Sequence, residues 1–73
     1  MNRTAFRFRE SEREELSNLL DATVIFTYRD QLSTLLARLL NAGMVVEEPV
    51  GGEIACYFLT PEAKEALGKA LGA

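Results

Sequence analysis

The stretch Thr27–Leu59, TYRDQLSTLLARLLNAGMVVEEPVGGEIACYFL, constrains this chain more than any other. Leu32, Leu35, Leu36, Leu39 and Leu40 recur at intervals of three and four, which places them on one face of a helix. Thr27 followed by Asp30 reads as a capping box that starts this helix near Tyr28, and an acid in the first turn suits the helix dipole. Gly43, directly after the last periodic turn, reads as the C′ residue that takes positive φ. The spacing therefore predicts a helix over about 28–42, with Arg29, Gln31, Ser33, Thr34, Arg38 and Asn41 outward.

A hairpin should follow. Met44, Val45 and Val46 favour strand, Pro49 to Gly52 supply turn chemistry, and the return strand runs over about 53–59. Side chains alternate across a strand, so Ile54, Cys56 and Phe58 share one face and Ala55, Tyr57 and Leu59 the other. The first set is expected inside, with Tyr57 half exposed.

The remaining segments are placed by packing against this unit. Met1–Thr4 should fray. In Ala5–Arg9, Phe6 and Phe8 alternate with Arg7 and Arg9, either as a short edge strand or, preferably, as an extended arm whose phenylalanines close the core. Ser11 with Glu14 matches a capping box for a helix over about 12–20, which buries Leu16, Leu19 and Leu20. The β-formers from Thr23 to Thr27 predict a strand over about 23–26 that pairs with the hairpin. Thr60 as N-cap and Pro61 at the first helical position open a last helix, with Ala63, Ala66, Leu67, Ala70 and Leu71 inward. The expected fold is α+β, in the order (β)-α-β-α-β-β-α, with a short antiparallel sheet and residues 1–73 in one domain. Its core should gather Phe6, Phe8, Leu16, Leu19, Leu20, Val24, Phe26, the leucines of the second helix, Val46, Ile54, Phe58 and Leu67.

Charge and chemistry restrict function. The chain has 73 residues and a net charge of −3. It is uneven: up to Arg13 four arginines face two glutamates, whereas the remainder carries four basic against nine acidic residues. Phosphate neutralisation supplies most nucleic-acid affinity, so an acidic body argues against direct nucleic-acid binding. There is no histidine, which removes the commonest general base and metal ligand. The lone Cys56 lies mid-strand and reads as a buried structural thiol. Glu14–Glu15 and Glu47–Glu48 are sequence neighbours that point apart, so no metal site is expected. Gly51–Gly52 lacks the lysine and helix start of a phosphate loop. The chain is thus expected to be no enzyme, to bind no cofactor or small-molecule substrate, to span no membrane, and to reside in the cytoplasm.

The run LLARLLNAGMVVEEPVGGEIACYFLTPEAKEAL resembles the second half of a winged-helix transcription regulator. In that family a recognition helix ends in a leucine-rich A-G-hydrophobic pattern, a two-stranded wing follows, and the next helix opens after aromatic-x-L-T. Leu36, Leu39, Gly43 and Met44 fill the first part, Gly51 and Gly52 the wing tip, and Tyr57, Leu59 and Thr60 the last. A standard winged helix has three helices before the wing; two are found here. The wing carries Glu47, Glu48 and Glu53 where a DNA-binding wing prefers lysine or arginine.

The length, the acidic balance and the opening MNRTAFRFRE also resemble a small RNA polymerase-binding regulator of lytic phages. That resemblance implies binding to the largest catalytic subunit of bacterial RNA polymerase, inhibition of promoter-specific initiation through the σ factor, and antitermination, all in the host cytoplasm. Partner contacts are then expected at Phe6, Arg7, Phe8, Arg9, Glu47, Glu48 and Glu53. The alternative is a direct DNA-binding winged-helix repressor, reading bases with Gln31, Ser33, Thr34 and Arg38 and phosphates with Arg3, Arg7 and Arg9.

Overall fold

The computed structural model describes residues 6–72. The expectations for Met1–Thr4, for Arg3, for Ala5 and for the last residue fall outside them. A 3-10 turn, Glu10–Glu12, leads into helix α1, Arg13–Asp21. Strand β1 is Ile25–Tyr28 and helix α2 is Thr34–Asn41. Strands β2, Val45–Gly51, and β3, Ile54–Leu59, form the hairpin, and helix α3 is Pro61–Gly72. The three strands make one antiparallel sheet in the order β1-β3-β2. The α+β class, the three helices and the short antiparallel sheet that joins the strand after α1 to the hairpin agree with the sequence.

Helix α2 starts six residues later than predicted. Thr27 and Tyr28 lie in β1 opposite Ala55 and Ile54, and the Arg29 amide extends the ladder by donating to the Glu53 carbonyl at 2.8 Å. The Gln31 amide then closes a turn onto the Tyr28 carbonyl at 3.1 Å. The cap is Ser33, whose hydroxyl accepts from the Leu36 amide at 3.1 Å, and Thr27–Asp30 caps nothing. Thr and Tyr are poor helix formers and good strand formers, and an available neighbouring strand decided between the two. The helix stops as expected. Gly43 has φ +77°, and the amides of Gly43 and Met44 reach back to Leu40 and Leu39 in a Schellman motif that a β-carbon at this φ would strain.

The N-terminal cap is also displaced. Glu12, not Glu14, reaches back, its carboxylate accepting from the Arg9 amide at 2.8 Å, and Ser11 plays no capping part in α1. Thr60 caps α3 as read, its hydroxyl accepting from the Ala63 amide at 3.1 Å. Residues 6–9 form no strand, and Phe6 and Phe8 pack half-buried against the core.

Sheet polarity is the main correction. The helices cover the face holding Val45, Ala55, Tyr57 and Leu59, which join Leu16, Leu35, Leu36, Leu39, Ala63 and Leu67 in the core. Tyr57, expected half exposed, is 1% exposed. Ile54 and Phe58 sit on the opposite face, half-buried, and Val46 with them, while Cys56, on that face between Phe26 and Glu48, is buried as expected. Since Phe26 pairs with Cys56, it lies on that face too and is 63% exposed, while Ile25 and Thr27 turn inward. Val24 is likewise exposed. With period two, choosing the wrong face of one strand inverts every side chain at once.

Candidate protein-binding surface

The N-terminal arm is held by two arginines. The Arg38 guanidinium donates to both carboxylate oxygens of Glu12, each at 2.9 Å, and to the Arg7 carbonyl. Its carbon also stands 5.0 Å from the Phe6 ring centre, a cation–π contact. Arg13 repeats the device over Phe8 at 5.5 Å and donates to the Leu71 carbonyl at 3.1 Å. Glu12 is nearly buried between these groups. The Arg9 amide, and then the Arg38 guanidinium, hold its carboxyl below the ordinary glutamate range.

Phe6, Arg7 and Arg38 thus line one groove together with Ala42, Met44, Ala66 and Ala70. Arg7 and Arg9 are exposed. The hairpin acids are elsewhere. Glu47 and Glu53 gather with Arg29 and Asp30 around a shallow depression. Glu47 faces the helices, and its carboxylate accepts from the Tyr57 hydroxyl at 2.7 Å. Glu48, one residue on, stands on the other face opposite Cys56. The expected partner-binding residues therefore divide into an arm cluster and a hairpin cluster.

The residues expected to read DNA do not form one exposed helix face. Gln31 precedes α2 and lines a hollow with Glu15 and Leu36. Ser33 is the N-cap, and its hydroxyl donates to the Glu15 carboxylate at 2.5 Å, tying the start of α2 to α1. Thr34 is exposed in the first turn, and Arg38 is engaged as described. Only Thr34 and Gln31 of the four remain exposed and outside such internal bonds.

Tyr57 gives the hairpin a titration signature. Burial first, and then the Glu47 carboxylate, push its hydroxyl from the ordinary 10.0 up to about 12. A proton held more tightly in the folded state stabilises the fold fully below the unfolded value. That contribution is lost as pH rises from 10.0 through about 12. The wild type should lose stability across this window while Tyr57→Phe shows a flatter alkaline limb, checked by thermal melts at stepped pH with tyrosinate absorbance.

Sequence reasoning missed Glu12 and Glu15 as internal partners and missed the aromatic side of the sheet. The strand IACYFL did carry a signal, because both of its faces are apolar. No group of three or more Cys, Asp or Glu side chains that could hold a metal stands among the described residues. No helix among them is long and apolar enough to cross a membrane.

Fold and surface together define a small α+β protein with three helices on one side of a three-stranded sheet and an acidic hairpin. No protein-family profile matches the chain, and comparisons with characterised proteins and with solved structures give no match.

Proposed function

We propose that this chain is a non-enzymatic transcription regulator of the lytic-phage type, built on a shortened winged-helix-like scaffold, that binds bacterial RNA polymerase through protein contacts. On this reading it inhibits promoter-specific initiation by interfering with the σ factor and supports antitermination. Helix, hairpin and capped helix follow one another as the resemblance requires, with a turn at residues 29–30 where a further helix would stand. The observation that carries the proposal is the state of Arg38. It is the sole cation of α2, and it is bonded to Glu12 and the arm instead of facing a phosphate. The strands add no lysine or arginine, and Glu47, Glu48 and Glu53 would repel DNA. The same acids complement a basic protein surface.

The test is gel filtration of the protein with polymerase core and holoenzyme, beside a run with mixed duplex DNA. Co-elution with polymerase and altered σ retention are expected. Glu48→Lys combined with Glu53→Lys, two exposed sites that leave the Glu47–Tyr57 bond intact, should weaken the complex by about tenfold. Co-elution with DNA alone would instead establish a winged-helix repressor contacting phosphates through the exposed Arg7 and Arg9.

A further inference from the structure

The helices occupy one side of the sheet, and its other side has no layer over it among the described residues. Register places Phe26 and Tyr28 of β1, Ile54, Cys56 and Phe58 of β3, and Val46 of β2 on this outer side. Phe26 is 63% and Tyr28 49% exposed, so two aromatic rings of the outermost strand face solvent. Singly exposed apolar residues are ordinary, but contiguous aromatic and aliphatic side chains on one face mark an interaction surface.

We infer that this outer sheet face docks a short amphipathic segment of a partner protein, with apolar side chains over Phe26, Tyr28 and Phe58 and a lysine or arginine reaching Glu48. The inference rests on the protein-binding reading above and adds to it the surface and the chemistry of what it binds. Charge selects the occupant. No strand carries a cation, and Glu48 stands exposed on the face itself opposite Cys56, whereas Glu53 gathers with Glu47 and Arg29 away from it. Size selects it as well. Three strands spaced by about 4.8 Å and some six residues long offer on the order of 300 Å². A stable interface takes about 800 Å² per partner, so a second copy would be held too weakly by this face and would bring glutamates against glutamates. A nucleic-acid strand could stack on the two rings but would meet Glu48 with its phosphates.

Two experiments separate this inference from the function it rests on. In the first, isotope-labelled protein is titrated with a short synthetic peptide of alternating leucine and lysine, with its leucine–glutamate counterpart, and with oligouridylate. The lysine peptide should shift the amides of β1 and β3. Phe26→Glu, at a site exposed enough to leave the fold intact, should weaken it by about tenfold or more. If Phe26→Glu melts early, Tyr28→Ser carries the same comparison. Shifts confined to the groove of Phe6 and Arg38, equal binding of the glutamate peptide, or oligouridylate bound on this face would each overturn the inference. So would a dimer, seen by sedimentation, that Phe26→Glu dissolves. In the second, wild type and Phe26→Glu are run with polymerase. Co-elution of the wild type with loss in the variant supports both readings. Equal co-elution removes the outer face and leaves the polymerase reading standing. Peptide binding without polymerase binding does the reverse.

Discussion

Leu39→Ala should leave this protein without a cooperative folded state at room temperature. Leu39 is fully buried on α2, in the cluster with Leu35, Leu36, Leu16 and Leu67. Its carbonyl also receives the Met44 amide that closes the helix. Removing a buried leucine side chain costs about 3 kcal/mol, from lost transfer energy plus the cavity left behind. A chain of 73 residues buries only a modest fraction of its surface, so its total stability is on the order of a few kcal/mol. One truncation therefore consumes most of the margin. Circular dichroism should show no sigmoidal melt for Leu39→Ala. A cooperative melt within a few degrees of wild type would show that the α2–sheet contact is not the centre of the core. The same experiment on Phe26→Ala should change little, since that ring is mostly in solvent.

Arg38→Ala separates the structural reading of this arginine from the DNA-reading one. The side chain makes two charge-assisted bonds to Glu12, reaches the Arg7 carbonyl and lies over Phe6. Hydrogen bonds to charged groups contribute more than neutral ones. The guanidinium is partly exposed, so solvent screening reduces the total, and the variant should melt roughly 5 °C below the wild type. The loss should depend on pH in a defined direction. Glu12 titrates below the ordinary glutamate range, so its contribution is present above that range and disappears as pH falls through its lowered value. The gap between wild type and variant should accordingly be widest near neutrality and narrow in acid. Phe6 and Phe8 should also become more accessible to limited proteolysis as the arm detaches. A variant that keeps its melting temperature while losing affinity for duplex DNA would assign Arg38 to a nucleic-acid interface.

Wherever a pattern was local, the sequence located the element. The leucine spacing marked α2, Gly43 marked its end, Thr60–Pro61 marked the start of α3, and the glycine pair marked the hairpin turn. These signals need only a few neighbouring residues and their intrinsic φ preferences. The start of α2 was not local. Thr27 and Tyr28 satisfy either a helix cap or a strand, and only the presence of β3 alongside made them strand. Cap identity failed for the same reason ahead of α1 and of α2, since Glu12 and Ser33 are fixed by Arg38 and Glu15 from other helices.

The candidate site was less legible. Exposed arginines and glutamates can be named, but helix spacing places Arg38 outward and carries no sign of a partner 26 residues away in the chain. What the sequence determined by itself was the inventory of elements, the α+β class, the acidic body and the missing histidine. Which side of the sheet meets the helices was decided only by tertiary structure. The strand IACYFL is apolar on both faces, and the choice fell to packing: Ala55 and Tyr57 fit beneath the helices because Glu47, directly opposite, accepts the buried hydroxyl. That choice turned Phe26 and Tyr28 outward and created the surface on which the binding inference stands.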